Sequence, residues 1–224
     1  CYWLTIGNFL EDKIIRLPYP IDHSKFITCG ADSYLLPLSA AFFKYFKAEK
    51  AKDLLEIKEL IGGSVSVELK IPVKGGEISF KKRYSNSENS LVSLDANMAL
   101  FPFLKAERHP ITYRIGLLLD PLGHIKDAGI SVINQGAELI IGSPTQRHPG
   151  DGGEHSSRYF KVEKTPEAIG INLGNSIGYV VPNLPVSSGT ARLEFAIDFG
   201  TTNTHIEYKY NNNSAVPFDI RPEN

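Results

Sequence analysis

Cysteine is nearly absent, Cys1 and Cys29 being the two in 224 residues. Two thiols without a metal-ligand spacing exclude a disulfide framework and a zinc knuckle, and such usage suits a reducing cytoplasm. A dominant charge of one sign is lacking too. Lys and Arg number 24 against 25 for Asp and Glu, a formal net charge of −1, so no chain-wide field draws in nucleic acid or anionic lipid. The short basic run Lys81-Lys82-Arg83 reads as part of a solvent-facing strand. Apolar runs such as Gly116-Leu117-Leu118-Leu119 or Leu139-Ile140-Ile141 fall far below a membrane span. No segment repeats and none is of low complexity. The opening residues do not read as a basic-then-apolar leader, and a first residue of Cys rather than Met is what a piece cut from a longer protein would show.

What is present is an ordinary globular balance, 42% hydrophobic and 22% charged, enough apolar surface to form a packed core. The start reads as strand, turn, strand: Trp3-Leu4-Thr5-Ile6, then Gly7-Asn8, then Lys13 to Leu17, broken by Pro18 and Pro20. The period then changes. In SAAFFKYF (39–46), Phe42, Phe43 and Phe46 fall at helical spacing, and Leu54, Leu55, Ile57, Lys58 and Ile61 suggest further amphipathic helix before Gly62-Gly63. The Phe cluster reads as a face packed on a sheet in preference to a partner-binding face. From 64 onward the period is two. SVSVELKIPV, a Gly75-Gly76 turn and EISFKKRY predict a hairpin. YRIGLLLD (113–120), AELIIG (137–142), RYFKVEK (158–164), AIGINLG (168–174) and IGYVVP (177–182) read as further strands. Many short strands separated by Gly, Pro and Asn predict a mainly β chain, an antiparallel β-sandwich or barrel-like domain with a short helical insertion. PNLPVSSGT (182–190) reads as a linker.

Three constellations carry candidate chemistry. RHPGDGGEHSSR (147–158) gathers His148, Asp151, Glu154 and His155, but the spacing matches no zinc pattern and a solvated loop accounts for the composition. A hydrolase built on that loop is the weakest reading. Gly170, Gly174 and Gly178 recur every four residues without the dinucleotide fingerprint, and read as turn glycines. FAIDFGTTNTHIEY (195–208) is different. RLEFAID and THIEYKY are strands by composition, yet Asp198 ends the first and Phe-Gly-Thr-Thr-Asn follows where a two-residue turn would suffice. Gly200 allows close backbone approach to a ligand, and successive amides in such a bend form an anion-binding concavity. Thr201, Thr202 and Thr204 add hydroxyl donors, and Asp198 adds a carboxylate able to hold a metal-bound water.

Ile197 to Thr204, Ile-Asp-Phe-Gly-Thr-Thr-Asn-Thr, resembles the first phosphate loop of the actin, sugar-kinase and DnaK-type heat-shock chaperone superfamily of ATPases. The chaperone form, Ile-Asp-Leu-Gly-Thr-Thr-Asn-Ser, differs at Phe199 and Thr204. The resemblance implies that Asp198 positions Mg²⁺ through water, that Gly200, Thr201, Thr202 and Asn203 line the phosphates of ATP, and that Thr204 supports the loop. It also implies that residues 191–224 are the truncated opening of a ribonuclease-H-like ATPase domain, with AVPFDI (215–220) as a third strand. Residues 1–190 would then be a β-rich accessory domain, helical at about 39–61, that couples nucleotide state to a protein partner or covers the site. The family's second phosphate loop, adenosine-binding glycines and second lobe have no counterpart in the 224 residues. Phosphoryl transfer needs several elements at once, so the expectation is an inactive fragment with no nucleotide held, ATP and Mg²⁺ belonging to the full-length protein. The competing reading is a non-enzymatic β-sandwich module for carbohydrate or peptide, with Phe195–Tyr208 a plain hairpin and Trp3, Tyr159 and Tyr179 lining a groove.

Overall fold

The structure is a computed structural model that describes residues 5–94, 96–106, 110–119, 128–147, 157–187, 192–199 and 204–218. It divides into two compact units, Cys1–Val186 and Ser187–Asn224.

Unit 1 opens with a 3-10 turn at Ile6–Asn8, which takes in the expected turn at Gly7-Asn8 and also Ile6, expected in a strand; Trp3 and Leu4 lie outside the described residues. The Asn8 side chain accepts from the Thr5 amide at 2.6 Å and so competes with any ladder. Strand β1 (Ile14–Arg16) follows, then helix α1 (Ala40–Tyr45), a 3-10 turn at Ala48–Lys50 and helix α2 (Ala51–Leu54). The helical insertion ends there. Leu55–Glu59 is strand β2, antiparallel to β3 (Val65–Val73) with Leu55 opposite Leu69 and Ile57 opposite Val67. Leu55 and Ile57 are two residues apart, and both enter the core only as alternate positions of a strand. β3 continues into β4 (Gly76–Tyr84) through Lys74-Gly75, with Gly75 at φ +93°. On β4, Lys81 and Arg83 share the outer face, whereas Lys82 lies on the core side and reaches Asp12 at 2.7 Å, so the basic run is split.

β5 (Leu91–Ser93) pairs with β1 in parallel, followed by β6 (Ala96–Phe101) and β7 (Lys105–Ala106). Next come β8 (Tyr113–Leu119), β9 (Ala128–Asn134), β10 (Ala137–Glu138), β11 (Thr145–Arg147) and β12 (Ser157–Val162). AELIIG thus gives only a two-residue strand, and Ile140 beyond it is fully exposed. β13 (Ala168–Leu173), β14 (Ser176–Val180) and β15 (Val186–Ser187) complete the unit. Two antiparallel four-stranded sheets, ordered β10-β9-β13-β14 and β11-β12-β8-β6, share one apolar cluster in which Ile130, Val132, Ile169 and Ile171 meet Tyr113, Ile115, Leu117 and Phe160. They form a sandwich, and no closed barrel occurs among the described residues.

The first of these sheets is buried on both faces. Ile133, Ala168 and Tyr179, on the side away from the second sheet, belong to another cluster with Phe42, Phe43 and the inward residues of β2 and β3. Gly170 and Gly178 are mid-strand, not turn, residues: they pair with Tyr179 and Ile171. A Cβ on Gly178 would sit 2.6 Å from Leu35 Cβ, and one on Gly170 would sit 3.0 Å from the Tyr179 ring. Glycine leaves room at 170 for side chains of the neighbouring strands, Ser131 and Tyr179, and at 178 for Leu35 packed on the sheet. Only Gly174, φ +57°, turns the chain, between Leu173 and Ser176. The first half of the expected linker is also docked: Asn183 N–H donates to Lys25 O at 2.7 Å and Lys105 N–H to Pro185 O at 2.8 Å.

Burial sets the chemistry of three core groups. It pushes the Cys29 thiol up to about 12, so Cys29 is a small hydrophobe and not a nucleophile. Tyr84 donates to Glu11 O at 2.8 Å, and burial, then Glu11 and Asp12, raise its phenol above the usual range. Burial foremost lifts Tyr179 to about 12. A folded phenol that keeps its proton while the unfolded one loses it near pH 10 contributes stability that is complete below pH 10 and is lost above it. The unfolding free energy from urea titrations is expected to fall between pH 10.5 and 11.5 by about 1 kcal/mol per pH unit for each tyrosine, and Tyr84→Phe should flatten that slope.

Candidate functional site

Unit 2 is a three-stranded antiparallel meander of β16 (Leu193–Phe199), β17 (Thr204–Tyr210) and β18 (Val216–Pro217). Alternation builds it. Phe195, Ile197, Ile206 and Tyr208 share one face, on which the rings of Phe195, Tyr208 and Phe218 lie 5.8–6.2 Å apart by centroid. Glu194, Asp198, His205, Glu207 and Lys209 share the other. At the far end Asn211, at φ +53°, closes the hairpin: its amide donates to Arg192 O at 2.7 Å and its side-chain oxygen accepts from Arg192 N–H at 2.8 Å.

Asp198 is the penultimate residue of β16, solvent-exposed and directly opposite His205, so the carboxylate stands where the two strands open into the connection at 200–203. His205 Nε2 lies 3.1 Å from Glu207 Oε1, and Arg192 pairs with Glu194 at 2.9 Å. No hydrogen bond or ion pair among the described residues engages Asp198. A solvent-exposed carboxylate that no described residue engages is able to hold a cation through water, because such a cation keeps most of its own shell. Gly200, Thr201, Thr202 and Asn203 lie outside the described residues, and Thr204 begins β17 opposite Phe199.

His148, Asp151, Glu154, His155 and Trp3 fall outside the described residues. Among the described residues no three His, Cys, Asp or Glu side chains converge to hold a metal. Tyr159 is half-buried in β12, while Tyr179 is 1% exposed with its ring 4.8 Å from that of Phe43, so Tyr179 belongs to the core and not to a groove. No helix among the described residues is long and apolar enough to cross a membrane.

Unit 1 also contains concavities. One of about 360 Å³ is lined mainly by polar groups such as Glu163 and Lys164, and one of about 460 Å³ mixes Lys44 and Glu167 with Phe43, Tyr45 and Phe46. A third, about 240 Å³, is lined almost wholly by apolar side chains. Its only sequence signal is Leu17-Pro18-Tyr19-Pro20-Ile21, where apolar residues alternate with prolines that read as a broken ladder. Comparison with protein-family models, with curated proteins and with solved structures finds no match to this chain.

Proposed function

We propose that residues 191–224 open an actin- and DnaK-type ATPase domain with its first phosphate-binding hairpin, and that residues 1–190 are an accessory domain passing its nucleotide state to a protein partner in the cytoplasm. The observation that carries this reading is the solvent-exposed carboxylate of Asp198, engaged by none of the described residues, at the end of a strand whose connection to the next reads Gly-Thr-Thr-Asn. The third strand, β18, supports it, since the resemblance calls for one after the turn. Asp198 would hold Mg²⁺ through water, and Gly200, Thr201, Thr202 and Asn203 would meet the phosphates with amides and hydroxyls. When bound, ATP and Mg²⁺ supply the transferable phosphoryl group and the charge that neutralises it. The residues here orient that group and leave hydrolysis to elements that other parts of the full-length protein provide.

The test is hydrolysis by the full-length protein. Asp198→Ala and Thr201→Ala are each expected to lower the rate by about a hundredfold, as removal of one transition-state contact does. Full activity in both variants would refute the assignment. The sandwich itself favours a second reading, a non-enzymatic binding module for carbohydrate or peptide, in which both variants are silent and no nucleotide is turned over.

A further inference from the structure

We propose that the slot at one end of the sandwich, between its two sheets and under residues 17–26, is a binding site for a small neutral apolar molecule: one aromatic ring or a short alkyl chain. Ile171 of β13 and Val180 of β14 form its floor, Met98 of β6 its opposite wall, and Leu17, Ile21 and Phe26 its cover. Its volume is about 240 Å³, and its lining is almost wholly apolar, so water in the slot finds few polar partners and an apolar molecule that displaces it is favoured by burial.

The slot is preformed. Leu17 N–H donates to Ser33 O at 2.8 Å and Ile21 N–H to Asp32 O at 2.7 Å, and the ring of Phe26 packs on Phe103 at 5.6 Å. The absence of a side chain at Gly178 lets Leu35 lie close against the sheet at the back of the slot. Met98, the single methionine of the chain, sits on the edge strand β6 and adapts to differing shapes. Asp22 is the one charged lining residue. Its carboxylate already accepts from the Ser24 amide and hydroxyl at 2.9 and 2.6 Å and lies 3.7 Å from Lys25. It stays charged and half-exposed at the rim, where water screens its pull on a cation, and it repels an anion. The ligand class is neutral.

Toluene titrated into the whole protein, followed by carbon–proton correlation spectra of labelled methyl groups, tests the proposal. Saturable shifts are expected at Met98, Leu17, Leu35, Ile171 and Val180, with a thermal midpoint that rises with toluene concentration. Benzoate, of similar shape, is expected to bind at least tenfold more weakly. Met98→Trp, on a partly buried edge position, should fill the slot and weaken toluene at least tenfold. Should that variant not fold, the wild-type titration decides. No saturable shift up to the solubility of toluene, or shifts scattered through the core, would overturn the site. Benzoate binding as tightly as toluene would overturn the ligand class.

Discussion

Gly30→Ala is expected to destabilise unit 1 by about 3–5 kcal/mol, although it adds a single methyl group. Gly30 has φ +109° and forms a parallel bridge to Ile57. Ile57 N–H donates to Cys29 O at 2.6 Å and Ala31 N–H donates to Ile57 O at 3.0 Å, so residues 29–31 clasp the open edge of β2. A Cβ on Gly30 would stand 2.5 Å from Ile57 O. That oxygen is backbone and cannot swing aside. Moving it means moving Ile57 away from Val67, its partner on β3, and opening the cluster behind. Gly75→Ala separates the two contributions, because Gly75 has φ +93° with nothing within 4 Å of an added Cβ. It should lose only the backbone preference, about 1 kcal/mol. Urea denaturation of both variants, followed by far-ultraviolet circular dichroism, measures the difference. Equal losses would mean that the Ile57 carbonyl yields freely and that the clasp contributes nothing.

The same pair shows what the sequence disclosed and what it hid. The hairpin β3–β4 is legible because nine residues alternate strictly and glycines separate them from the next run, although the turn falls at Lys74-Gly75, one residue before the expected Gly75-Gly76, since Gly76 already pairs with Val73. Leu54, Leu55, Ile57, Lys58 and Ile61 satisfy helical and strand spacing alike, and only pairing with the distant Val67 and Leu69 decides between them. Gly170 and Gly178 look like punctuation along the chain. Their reason is Tyr179 and Leu35 lying across from them, a packing fact with no local signature. The slot is hidden for the same cause, since β6, β13 and β14 and residues 17–26 come together only in space. Asp198 was legible: composition alone placed it at a strand end, and β16 closes one residue later.

Phe42→Ala is the second large effect, about 3–5 kcal/mol, and it separates a packing role for the aromatic cluster from a docking role. Phe42 is 0% exposed, with its ring 5.4 Å from Phe43 and 5.1 Å from Phe46. Helix α1 spans six residues, and Ser39 at its start makes no side-chain capping bond. So short a helix has no stability of its own and is held by the face it buries. Removing the ring therefore empties space in the core and also releases the element that carries Phe43 onto Tyr179. Lys44→Ala, on the exposed side of the same helix, keeps that face and improves helix propensity, so its effect should stay within about 0.5 kcal/mol. Urea midpoints of the two variants give the comparison. If Phe42→Ala were as mild as Lys44→Ala, the cluster would not be core, and its apolar stripe would have to serve a partner. The burial of Phe42 and Phe43 in one cluster with the inward residues of β2 and β3, and of Phe46 in part against it, argues that the helix exists to close the second core, leaving any partner to dock elsewhere on unit 1.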